Sequence, residues 1–387
     1  MQGRWLDLGG GTLLVPAVRA PWPSPRRAGS ARPSEATAGG GTSGDPEVRS
    51  MEALQRRTRR MFAFRRGILA LDTAPDELSV RLSSVGSTGP APDAAAYRDM
   101  VLGTPHLAST TSAVVLPPEA FGAAATGSPQ LSTVGSAAGP RGRGLLGRVA
   151  ASGVLLGVRA DSGAESLSGE RDELVTTGLD GLSDRLRRFQ ALGASFAVWA
   201  MSSGSAIDYG ALRTLTVNSQ AAARFAYTCQ TLGVVPVIRV GTRMHDGSPA
   251  QRSAARAAAL LSVCGHLEDI EVDLPSVVLS TEAECVHDAD PVTGGPLVAL
   301  PDRLGGVALT AGDNALSTAV AAVTAVCEAG PPWPVTFYLG REVTRPALLA
   351  WRGRTGSVRA GHQALRDGLT TARAALGGRS LAAAPGS

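Results

Sequence analysis

The stretch NSQAAARFAYTCQTLGVVPVI, residues 218–238, decides the fold. Ala222, Phe225, Ala226, Cys229 and Leu232 recur at three- and four-residue spacing, which gathers them on one face of a helix over Ser219 to Leu232. A short β-branched run, Val234 to Val240, follows at once, and its length and composition are those of a buried strand. An amphipathic helix feeding directly into such a strand is the repeating part of a parallel sheet with crossover helices.

The same alternation extends in both directions. Strands are expected at Gly67 to Asp72, Ser112 to Leu116, Leu155 to Asp161, Phe196 to Met201, Ile270 to Leu274, Gly306 to Thr310 and Val335 to Leu339, making eight with Val234 to Val240. Helices are expected at Ala94 to Leu102, Leu179 to Leu192, Pro249 to Leu267, Leu316 to Glu328 and Arg359 to Leu376. Eight β/α units predict an α/β fold of the TIM (β/α)8 barrel type in one domain, with chemistry at the C-terminal ends of the strands. The second unit is the least regular: Ala123 to Gly147 is rich in Gly, Ala and Ser, holds Arg141 and Arg143, and is expected to be a long loop.

Composition limits what the barrel can do. With 387 residues and 44% hydrophobic side chains, the chain can bury a large core. The net charge of +4 is spread thinly and aromatic content is 4%, so a stacking nucleic-acid surface is not expected. A local exception, Arg56, Arg57, Arg59, Arg60, Arg65 and Arg66 around Met61, Phe62 and Phe64, reads as a solvated face. No apolar run is long enough for a membrane span. The four cysteines fit a reducing compartment, and no two of the five histidines sit three to five residues apart, so neither a metal nor another cofactor is expected.

Residues 1–46 read as a disordered low-complexity tail, 47–378 as the barrel and 379–387 as a loose C-terminal tail. A cytoplasmic location is expected, with an organelle transit peptide in 1–46 as the alternative.

Several segments resemble class I fructose-bisphosphate aldolase, in order and at close to the family's spacing: GILALD (67–72), AAAYRDMVLGTP (94–105), LLGVRAD (155–161), TTGLDGLSDRLRRFQALGASFAVW (176–199), the opening stretch, and VTFYLGR (335–341). The resemblance spans about Met51 to Leu376. It implies that Asp72 holds a catalytic acid/base position, that Arg81 and Arg341 grip substrate phosphate, and that Thr310 and Gly312 stand where backbone amides also face that phosphate. A sugar-phosphate ligand is implied, as is assembly into a homo- or hetero-tetramer with aldolase-fold subunits.

The family's imine chemistry has no matching residue. All 37 basic residues are arginine, and no lysine occurs anywhere in the sequence. The position of the Schiff-base lysine is matched to Ser276 in EVDLPSVVL. A second lysine and an arginine of the fourth strand become Val198 and Ala200, two glutamates of the fifth become Arg239 and Gly241, and a third-strand lysine becomes Arg159. An arginine stays protonated and cannot attack a carbonyl, and serine supplies no amine.

The residues also carry plainer readings: Asp72 as a partner of Arg239, Arg159 as a partner of Asp161 or Asp273, and Arg81 as a solvated helix residue. The leading expectation is a pseudoenzyme that binds sugar phosphate or co-assembles with an active aldolase. An active lyase using Asp72 and a non-lysine electrophile, and a purely structural partner, are the alternatives.

Overall fold

The computed structural model describes residues 3–7, 12–16, 46–85, 94–125, 144–167, 173–203, 209–242, 248–283, 297, 300–311 and 315–377. Eight parallel strands close into a barrel in chain order: Gly67–Ala70, Thr111–Leu116, Leu155–Arg159, Ala194–Ser203, Val235–Thr242, Val278–Glu282, Gly306–Thr310 and Val335–Leu339. The eighth closes on the first, pairing Tyr338 with Ile68 and Leu339 with Leu69. Sequential neighbours all around the ring are what right-handed β/α crossovers produce.

Alternation along each strand splits the apolar residues into two sets. Ile68, Ala113, Val115, Leu155, Phe196, Val198, Val235, Val237, Val278, Ala308 and Tyr338 fill the barrel interior together with Leu54 and Met61 of the helix Pro46–Phe62, which plugs the N-terminal end. The larger set, including Leu69, Val114, Leu156, Trp199, Ile238 and Leu279, faces the surrounding helices. Two glycines make the interior fit. A Cβ on Gly157 would lie 2.2 Å from the Phe196 ring, and one on Gly306 would lie 2.2 Å from Phe62.

Local signals agree with the helices that line the barrel. Pro249–Asp269 opens on a reciprocal capping box, in which the Gln251 amide donates to Ser248 Oγ at 3.3 Å and the Ser248 amide to Gln251 Oε1 at 2.8 Å. Tyr209–Thr231 begins earlier than its apolar face suggests, and stacks Phe225 on Trp199 with ring centroids 5.4 Å apart. Among the helices given no bounds from the sequence are Pro75–Ser83 and Arg341–Trp351. The second carries Pro346 inside it, a residue that discourages a helical reading because it removes one i→i−4 hydrogen bond.

One strand is misplaced in the sequence reading. The run Ile270 to Leu274 is not the sixth strand; that strand is Val278–Glu282. The helix before it stops in a Schellman motif, with the Glu271 amide on the Glu268 carbonyl and the Val272 amide on the Leu267 carbonyl, both at 3.0 Å. Glu271 takes the left-handed conformation there, with φ 57°, at a place where glycine is the usual residue. Without a glycine to mark the stop, the β-branched residues beyond it resemble a strand. A 3-10 turn, Leu274–Ser276, then delivers the chain to the barrel.

In the second unit, helices Pro118–Ala125 and Leu145–Ala151 occupy both ends of the expected loop. Its middle, with Arg141 and Arg143, lies outside the described residues, as does Gly312. So do the expected tails, except for an antiparallel pair of short strands, Gly3–Asp7 and Thr12–Pro16, and the start of the plug helix at Pro46. Of the arginine-rich stretch, Arg56, Arg59, Arg60 and Arg65 are exposed, while Arg57 donates to the Gly233 carbonyl and Arg66 to that of Ala108.

Candidate functional site

Above the last apolar layer the interior positions turn polar. Asp72 follows the first strand, Arg159 ends the third, Arg239 and Gly241 lie on the fifth, Glu282 ends the sixth and Thr310 the seventh. Together with Thr73, Glu77, Arg81, Thr281, Tyr338, Gly340, Arg341 and Glu342 they line an open pocket of about 310 Å³ at the C-terminal end of the barrel. This is the end at which the fold places its chemistry.

Each carboxylate of the pocket is held by an internal partner. Asp72 is buried; it accepts the Tyr338 hydroxyl at 3.3 Å, and Arg239 Nη1 lies 3.9 Å from the same oxygen. The Arg239 guanidinium also lies over the Tyr338 ring, 5.8 Å from its centroid. Burial raises the Tyr338 hydroxyl far above its ordinary pKa, and the charge of Asp72 pushes it further. Burial pulls the Arg239 guanidinium down, but Tyr338 and Asp72 outweigh it and leave the pKa raised. Tyr338 is therefore a neutral donor and Arg239 a fixed cation.

Glu282 pairs with Arg256, which reaches it from the helix Pro249–Asp269 as one of the largest fully buried side chains. Glu77 pairs with Arg81 one helical turn away, and Arg81 also donates to Thr73 Oγ1 at 3.3 Å. Glu342 accepts the Gly340 amide at 2.8 Å. Burial raises the Glu342 pKa, partly opposed by that amide and its own.

The third strand carries a pair joined by two nitrogens of one guanidinium. Arg159 Nη2 lies 2.9 Å from Asp161 Oδ1 and its Nε 3.0 Å from the same atom. The Asp161 carboxylate, with no exposed side-chain surface, also accepts the Ala200 amide at 3.1 Å and the Gly163 amide at 3.2 Å. With all its partners fixed, Asp161 orients Arg159 toward the pocket from behind.

The pocket thus collects Asp72, Arg81, Arg159, Thr310 and Arg341 from the residues singled out in the sequence. It does not include Ser276. That residue precedes the sixth strand at the opposite end of the barrel, buried, with its hydroxyl donating to Asp273 and its carbonyl accepting Thr58 Oγ1 at 3.3 Å. By alternation from Val278, the interior positions of the sixth strand are Ser280 and Glu282. Ser280 pairs in register with Arg239 on one side and Ala308 on the other.

Glu282, Tyr338 and Glu342 are pocket residues that the sequence reading did not single out. Misplacing the sixth strand hid Glu282. Tyr338 had a usable signal, because it stands two residues before Gly340 in VTFYLGR and so shares the face that reaches the site. Among the described residues no group of His, Cys, Asp and Glu is arranged to hold a metal ion, and no helix is long and apolar enough to cross a membrane.

Comparison with known proteins agrees on one family. A family model described as glycolytic, class-I fructose-bisphosphate aldolase, matches residues 53–383. A probable class 1 fructose-bisphosphate aldolase of Xylella fastidiosa is 30% identical over 317 residues, covering 78% of this chain and 90% of the relative. Cytosolic fructose-bisphosphate aldolase 6 of Arabidopsis thaliana is 25% identical over 313 residues, covering 77% and 83%. Among solved structures, a Plasmodium falciparum fructose-bisphosphate aldolase, crystallised with TRAP and a small-molecule inhibitor, superimposes with a TM-score of 0.72 at 22% identity, covering 86% of this chain and 96% of that one. At that identity the structural match speaks for the fold.

Proposed function

Because this chain belongs to the class-I fructose-bisphosphate aldolase family, whose chemistry runs through a lysine amine, we propose that it is a non-cleaving member that keeps a phosphate-binding barrel mouth. One observation carries the reading: the sequence holds no lysine, and the interior positions of the sixth strand are Ser280 and Glu282. An imine forms only on a primary amine. The cation it becomes is the sink for the electrons of the breaking carbon–carbon bond.

Other candidates for that sink are weak. Arg239 and Arg159 remain protonated and non-nucleophilic. The fifth strand presents Arg239 and Gly241 where a carboxylate is needed to move protons, and Asp72 is engaged with Tyr338. The cationic side of the pocket supports phosphate binding, with Arg341 opening the helix that follows the eighth strand, where this fold often holds phosphate. Arg81 reaches the same pocket from the helix Pro75–Ser83.

Two assays test the reading. In a coupled assay with fructose 1,6-bisphosphate, the purified chain gives no turnover above background, and borohydride with dihydroxyacetone phosphate leaves its mass unchanged. In a thermal-shift titration, dihydroxyacetone phosphate at a hundredfold excess over Kd stabilises it by about 2.7 kcal/mol. Enzyme-dependent cleavage or a reduced adduct refutes the first half. No shift at millimolar ligand refutes the second and leaves a structural partner of active aldolases.

A further inference from the structure

Where the family pattern has a glutamate, Arg239 reverses the charge, and it does so facing a second cation across the pocket. Arg159 and Arg239 lie on the third and fifth strands, with one strand between them. Two inter-strand spacings put those strands about 10 Å apart. In register, Arg159 stands beside Val198 and Arg239 beside Ala200, so the intervening strand raises only short side chains. Gly241, beyond Arg239 on the same face, adds no side chain either.

The two guanidiniums sense each other. Burial pulls the Arg159 pKa down, Asp161 and Asp72 more than restore it, and the charge of Arg239 opposes them. Each arginine has its own near counterion, and the charges of Asp72 and Asp161 act on both. Asp161 is wholly buried and holds Arg159 from behind, while Asp72 lies 3.9 Å from Arg239 on the side of Tyr338. Two cations held in place by neighbours, lining one pocket over a floor of small side chains, form a clip for a planar anion.

We propose that this clip binds a carboxylate, so that the pocket takes a small phosphorylated carboxylic acid, with its phosphate toward Arg341 and its carboxylate between Arg159 and Arg239. This rests on the phosphate-binding reading above and specifies its ligand class. A neutral carbonyl or hydroxyl at the same point offers the two guanidiniums only a dipole, whereas a carboxylate offers each an anionic oxygen.

Calorimetric titration of the full chain with 3-phosphoglycerate and with dihydroxyacetone phosphate tests it, because the two probes share three carbons and one phosphate and only the first carries a carboxylate, its C2 bearing a hydroxyl in place of the ketone. The acid is expected to bind at least tenfold more tightly. In Arg239→Gln that ratio falls to within about threefold of unity, and in Arg239→Lys, which restores the charge without the fork, part of it returns. In Arg341→Gln both affinities fall while the ratio persists. Circular dichroism melts confirm that each variant is folded. Equal affinities in the parent chain, or a ratio unchanged in Arg239→Gln, overturn the carboxylate clip and leave the phosphate grip standing. Failure of both probes to bind overturns the grip, and the clip with it.

Discussion

The two ends of the barrel share eight strands and differ in what fills them. At the N-terminal end, Leu54 and Met61 of the plug helix close on Ile68, Phe196, Val235 and Val278, and the polar contacts there are a few satisfied hydrogen bonds such as Ser112 Oγ to the Met61 carbonyl at 2.6 Å. At the C-terminal end, a few residues further along the same strands, Asp72, Arg159, Arg239, Glu282 and Thr310 surround open space. The contrast assigns stability to one end and ligand chemistry to the other. A closed apolar end gains from burial in proportion to area, whereas the open end holds charges whose partners fix their orientation.

Substitutions at the closed end carry the largest expected effect. Phe196→Ala empties the space that Gly157 leaves for its ring and should cost about 3–5 kcal/mol, with Leu54→Ala at about 2–5 kcal/mol, both read by urea unfolding. If either loss is below 1 kcal/mol, the plugged end is not the stabilising half. Arg341→Ala should do the reverse. Its unfolding midpoint stays within about 0.5 kcal/mol of the parent, while most of the roughly 2.7 kcal/mol gained from a hundredfold excess of dihydroxyacetone phosphate disappears.

A pair of serines sharpens the division within one strand connection. Ser276→Ala removes a hydroxyl that donates to Asp273 and should cost about 1 kcal/mol in chemical denaturation. Ser280→Ala removes a buried hydroxyl with no hydrogen-bond partner among the described residues, and should be neutral or slightly stabilising. The opposite ranking would contradict the placement of the sixth strand.

The smallest effect concerns Glu342, whose pKa is raised by burial. Its folded form binds a proton more readily than its unfolded form, so its ionisation costs stability at neutral pH, and that cost is relieved as pH falls through the folded pKa. Glu342→Gln should melt slightly above the parent at pH 7, and the gap should close toward the unfolded pKa near 4.5. A gap that widens in acid would mean that the carboxylate is net stabilised by its neighbours.

Much of this was legible in the sequence because it depends on local pattern. The helix Ala94–Leu102 and the strands Gly306–Thr310 and Val335–Leu339 have the bounds expected from periodicity. Asp72, Arg81, Arg159 and Arg341 line one pocket, and the pairings of Arg159 with Asp161 and of Asp72 with Arg239 are among the plainer readings weighed for them. The sixth strand failed for an equally local reason, the left-handed Glu271 that ends a helix without a glycine. That one displacement moved attention from Ser280 and Glu282 to Ser276, at the far end of the barrel.

The sequence by itself determined the eight-unit barrel and the absence of lysine, because hydrophobic period and residue type are properties of the chain as written. Only the tertiary structure decided which residue of the sixth strand faces inward, that Arg256 stands behind Glu282, and that Arg159 and Arg239 share one pocket over Val198 and Ala200. Those relations depend on register and barrel closure, which join residues from strands far apart in the chain; a shift of one residue would turn each side chain to the other face.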